Sequence, residues 1–127
     1  MKRLLLVVLI GLAAACEHGT EPVAGTLNVS LTTPNGGSDA AILFTVVGPA
    51  ALTSVSAPAG VRLFMQPPPF GLANRFVLTG TIPGGTILTI GVADVGKASA
   101  YTATVQQVSA SNSQLRALTG YSLKLTP

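Results

Sequence analysis

The side chains best suited to chemistry in this 127-residue sequence are few: Cys16, His18, Asp39, Asp94, Ser122 and Lys124. A nucleophilic relay needs a base within hydrogen-bond reach of a hydroxyl or thiol, and a third group to orient that base. His18 is the chain's one histidine, and it stands in the polar stretch Glu17 to Gly25, away from the apolar pattern. It has no second His or Cys to join as a metal ligand apart from Cys16, so it reads as a solvated linker residue. A glycosidase would have to use Asp39 and Asp94 as its acid and its base or nucleophile. Both lie in turn clusters, "PNGGSDA" and "VADVGK", where aspartate commonly caps backbone amides. Asp39 with Asn35 supplies too few carboxylates for calcium. Ser122 and Lys124 share a strand face without a shielded base, and neither a G-x-S-x-G elbow nor a phosphate-binding glycine loop occurs. The reading is of a protein that is not an enzyme and needs no metal and no cofactor.

Cys16 remains. Met1-Lys2-Arg3 is a short basic start, and Leu4 to Ala15, "LLLVVLIGLAAA", is twelve residues without a polar side chain. As a helix it would reach about 18 Å, short of the ~30 Å hydrocarbon thickness, so it has the length of a secretory h-region and not of a membrane span. Ala13-Ala14-Ala15 then stand directly before the cysteine. This order resembles the lipobox of bacterial lipoproteins, over about the first 17 residues. The resemblance implies cleavage between Ala15 and Cys16, diacylglycerol on the Cys16 sulfur and a fatty acyl chain such as palmitate on the new amino terminus. Two or more chains hold a protein stably on a bilayer, where one holds it marginally. Glu17, where an aspartate would favour the inner membrane in such proteins, points by analogy to the outer membrane. Residues 1–15 are thus expected to be a signal peptide, 16–25 a lipidated tether, and 26–127 the folded body.

The formal net charge of +3 belongs partly to the leader. Without Lys2 and Arg3 the balance is +1, from Arg62, Arg75, Lys97, Arg116 and Lys124 against Glu17, Glu21, Asp39 and Asp94. These cations form no cluster that could track a phosphate backbone, which argues against nucleic acid as a partner.

From Thr26 the hydrophobic pattern has period two. "TLNVSLT" alternates Leu27, Val29 and Leu31 with Asn28 and Ser30, as a half-buried strand does. "AILFTVV", Ala41 to Val47, is apolar on both faces and suits a central strand. Further strands are expected over Leu52–Ala57, Val61–Gln66, Asn74–Ile82, Thr86–Val92, Tyr101–Ala110 and Gly120–Thr126. Asn74–Ile82 and Thr86–Val92 read as a hairpin about Pro83-Gly84-Gly85. Eight short strands, frequent Gly and Pro turns and no helical period predict an all-β, two-sheet antiparallel sandwich.

"AILFTVVG" and "LTGTIPGGTILTIGVADV" resemble the strand order and glycine turns of cohesin-like and other immunoglobulin-like bacterial modules, over about half of the body. That resemblance implies a binding or structural role. Within the body, "MQPPPFG" is a candidate binding loop: Met65, Pro67, Pro68, Pro69 and Phe70 combine polyproline stiffness with apolar bulk. The alternative reading is a sheet-to-sheet crossover that tucks Phe70 into the core. An exposed sheet edge could recruit a partner by backbone pairing without a side-chain signature. The expected partners are therefore the membrane, through Cys16, and an envelope protein. A glycan is the second possibility, with Tyr101 and Tyr121 as stacking candidates that the pattern places at the core edge.

Overall fold

The computed structural model describes residues 21–66 and 72–127. Within them lie eight strands: β1 (Gly25–Thr32), β2 (Asp39–Val47), β3 (Ser54–Ser56), β4 (Val61–Gln66), β5 (Ala73–Ile82), β6 (Gly85–Val92), β7 (Thr102–Ala110) and β8 (Ser122–Thr126). A short 3₁₀ helix, Val95–Ala100, joins β6 to β7. The strands form two four-stranded antiparallel sheets, β3-β6-β1-β8 and β4-β5-β2-β7, so the expected all-β sandwich is the fold. The expected signal helix falls outside the described residues.

Alternation puts one apolar row of each strand between the sheets. Leu27, Val29 and Leu31 of β1 face Ile42, Phe44 and Val46 of β2, with Phe76 and Leu78 of β5 and Leu88, Ile90 and Val92 of β6 completing the core. Phe44 and Phe76 are directly paired across β2 and β5, their ring centroids 5.3 Å apart and tilted by 32°, a geometry aromatic pairs favour. β2 is central in its sheet, between β5 and β7, which accounts for its apolar residues on both faces. A register shift between Val29 and Ser30 lets β6 bury Ile87 and Leu88 in succession.

Two sequence expectations are corrected. β5 and β6 are not a hairpin: β5 pairs with β2 and β4, and β6 with β1 and β3, so Pro83-Gly84 carries the chain from one sheet to the other. A two-residue hairpin needs positive φ at its first central position, which proline cannot adopt. Conversely, β4 and β5 are antiparallel neighbours in one sheet, so the segment joining them is not a sheet-to-sheet crossover.

The chain runs up and down between two ends of the sandwich. At one end lie the start of β1, the end of β2, the start of β5, the end of β6 and the 3₁₀ helix, as the pairs Gly25 with Val92 and Val47 with Ala73 and Thr102 record. At the other end, β1 passes into β2 through residues 33–38, and β8 begins beside Thr32. Tyr101 closes the first end, 6% exposed, its ring lying over the backbone of Gly48. A Cβ on Gly48 would overlap that buried ring. Gly48→Ala is therefore expected to lower stability by about 1–3 kcal/mol, read as a lower urea midpoint with an unchanged slope.

Candidate functional site

Asp39, expected as a turn residue, is buried. The register of β2 shifts between Asp39 and Ala41 against both of its neighbours. The irregularity breaks the strict alternation that would send Asp39 outward from Ile42, and its carboxylate turns inward. Thr33 donates its hydroxyl to Oδ2 at 2.7 Å and Tyr121 donates its own to Oδ1 at 2.7 Å. Nε of Arg116 stands 2.9 Å from Oδ1 as an ion pair whose N–H is not aimed along the contact. Arg116 also donates from Nη2 to the Ser38 carbonyl at 3.1 Å. Asn35 extends the network by donating from Nδ2 to the Tyr121 hydroxyl at 2.9 Å.

These residues come from separate elements. Thr33 follows β1 and Tyr121 precedes β8, both in one sheet; Asp39 opens β2 in the other. Arg116 lies in the β7–β8 connection, which folds back on β7 through the Arg116 N–H to the Val108 carbonyl at 2.8 Å. Beside the network is an open groove of about 390 Å³, lined in part by Asn35, Asn112, Gln114, Arg116 and Tyr121. The carboxylate is spent on internal partners, which makes the cluster a clamp between the sheets.

Asp94 does what its turn position implies. Its Oδ1 accepts from Gly96 N–H at 3.0 Å, capping the 3₁₀ helix, and from Val23 N–H at 3.3 Å. Asp39 sits at the far end of the sandwich and Asp94 at the near one, separated by the length of β6, so the two carboxylates do not come together. Among the described residues no group of three His, Cys, Asp or Glu could hold a metal. Ser122 and Lys124 lie on the outer face of β8, paired with Thr32 and Ser30.

Of the expected binding loop, Met65 is on the edge strand β4, 47% exposed, while Pro67, Pro68, Pro69 and Phe70 lie outside the described residues, as do Ala15, Cys16 and His18. The neighbouring Phe64, unremarked in sequence, is 54% exposed. Phe64 pairs with Val77, which pairs in turn with Leu43, so an apolar row crosses the outer face of the sheet between Arg62 and Arg75. Met65 pairs with Phe76 on the inner face. The edge strand thus shows apolar side chains on both faces. Its clue in sequence was the run "VRLFMQ", apolar without strict alternation. Of the tyrosines, Tyr101 is buried and Tyr121 is half-buried with its hydroxyl bonded, which leaves Phe64 as the exposed aromatic ring among the described residues.

Asp39→Asn should cost about 3–5 kcal/mol of stability, because it leaves Arg116 without its counter-charge. Tyr121→Phe should cost about 1–3 kcal/mol by unbonding the carboxylate. The double variant should fall short of the sum in urea unfolding, as partners in one network do. Set against models of protein families, curated proteins and solved structures, the chain matches none significantly, so its role has to be read from its own residues and their placement.

Proposed function

We propose that this chain is a lipid-anchored envelope protein, held through Cys16 and placed at the outer membrane, whose sandwich is a non-enzymatic binding or structural module. The observation that carries the binding role is the edge strand β4. Among the described residues its six residues have a neighbour on one side, β5, and end the sheet on the other, with Phe64 and Met65 exposed. Long exposed edges with apolar side chains invite pairing with another chain, and proteins usually blunt them. β4 is blunted only by Arg62 and by the prolines that follow Gln66 in the sequence. A partner strand could add its backbone to β4 and rest apolar side chains on Phe64 and Met65, the augmentation mode of recognition.

The anchor supports the same reading from the other direction. Among the described residues no helix is long and apolar enough to cross a membrane, and the sequence before Cys16 has the order of a lipoprotein signal. A small module carried by acyl chains is held near the partners of the envelope without a span of its own.

Two measurements test this. Intact-mass analysis of the membrane-extracted protein should show diacylglycerol on Cys16, and Cys16→Ser should move the protein to the aqueous fraction. A photo-crosslinking residue replacing Phe64 should give a discrete adduct in envelopes, where one replacing Lys124 on the opposite sheet gives none. Met65→Asp should remove that adduct while a single cooperative urea transition shows that the sandwich still folds.

A further inference from the structure

The two ends of the sandwich differ in chemistry. At the end where β1 turns into β2 the β1–β2 loop is polar, Thr33-Pro34-Asn35-Gly36-Gly37-Ser38, and the β7–β8 connection opens polar with Ser111-Asn112-Ser113-Gln114 before the exposed Leu115 and Leu118. At the end where β1 starts, Val47 closes β2 and the β2–β3 connection opens Gly48-Pro49-Ala50-Ala51-Leu52 before Thr53, so six successive residues carry no hydrogen-bonding side chain. Val47, Pro49 and Ala51 of this loop are exposed. Beside it Leu72 and Ala73 lead into β5, also exposed, and Gly48 N–H donates to the Leu72 carbonyl at 3.2 Å, tying the two segments together. Pro22, Val23 and Ala24 enter β1 at this same end, all exposed, with Val23 60% accessible. Surface loops that carry function in water are ordinarily built of turn-forming polar residues. Here an apolar cap stands in their place.

We infer that this cap, Val23 with Val47, Ala51 and Leu72, is a membrane-contact surface that seats the sandwich end-on upon the bilayer holding its anchor. The inference rests on the lipidation of Cys16. Its occupant follows from the length and exit of the tether. Only six residues separate Cys16 from Val23, a reach of at most about 25 Å. They join the body at the apolar end and not at the polar one, so the cap is the part of the protein that the acyl chains bring to the lipid surface. Of the acidic groups near this end, Glu21 is exposed two residues before Val23. Asp94 is engaged by the Val23 and Gly96 amides, and Lys97, exposed on the 3₁₀ helix, is a cation that can meet headgroup phosphates. Apolar residues at such a surface enter about 5–10 Å, to the boundary of headgroups and acyl chains. In that seating the polar end, with the Asp39 clamp, points away from the membrane, and the β4 edge stands upright beside it.

The sequence contains no tryptophan, so a single introduced one reports alone. Ala51→Trp and Leu72→Trp at the cap, and Asn112→Trp at the far end, are made in the full chain, and the lipidated protein is reconstituted into phosphatidylethanolamine–phosphatidylglycerol vesicles with mid-chain brominated acyl groups. The cap tryptophans should shift to the blue and lose roughly half or more of their emission to bromine, as insertion to that depth requires, while the Asn112→Trp emission is unchanged. Val47→Asp in the Ala51→Trp protein should abolish the quenching and leave flotation with the vesicles intact. A protein that floats with equal, unquenched emission from both ends overturns the cap and leaves the anchor standing. Blue-shifted but unquenched cap tryptophans, with a doubled mass in detergent, overturn it in favour of a second copy of the chain. A protein that does not float and carries a free thiol overturns the anchor, and the membrane seating with it.

Discussion

A carboxylate with no exposure to water governs how the two sheets meet. Taking Asp39 out of solvent costs several kcal/mol, and only a full set of partners offsets it. Thr33 and Tyr121 supply two hydroxyls from the opposite sheet, and Arg116 supplies the counter-charge from the β7–β8 connection. The apolar core beneath it is made of aliphatic rows that could slide with little loss, since burial has no direction. Charge-assisted hydrogen bonds do have direction. The clamp therefore selects one register of sheet on sheet and also holds the irregular eleven-residue β7–β8 connection against the end of β7. The opposite end has no such device among the described residues, and is closed by packing of Tyr101 on Gly48 together with the Asp94 cap.

Much of the fold was legible because alternation is a local signal. "TLNVSLT" states which face of β1 is buried, and "AILFTVV" states that β2 has neighbours on both sides. What was illegible depends on contacts far apart in the chain. Asp39 and Tyr121 are 82 residues apart, and nothing near "GSDA" shows that its aspartate will be turned inward by a bulge. The apparent hairpin at Pro83 failed for a reason that the sequence did contain, the fixed φ of proline, which outweighs the suggestion of flanking strands. Of the candidate binding residues, Met65 was found through its prolines, whereas Phe64 was passed over because alternation says which residues share a face and not which strand lies at an edge.

The proposed anchor, edge and cap divide the surface between them. The outer face of the β3-β6-β1-β8 sheet carries Ser54, Ser56, Thr89, Thr26, Asn28, Ser30 and Thr126, short side chains that water satisfies cheaply. Exposed apolar groups stand along β4, around the tether end and, as Leu115 and Leu118, in the β7–β8 connection.

The pairing of β1 with β8 joins residues 28–32 to residues 122–126, the first strand to the last. A ribosome delivering the chain amino end first must release residues 122–126 before that sheet can be completed. Until then β1 has one flank open, and the chain waits in a loose state that a chaperone can hold. Lateness of closure is thus written into the strand order, and the domain closes as a latch whose two halves are 90 or more residues apart in the chain.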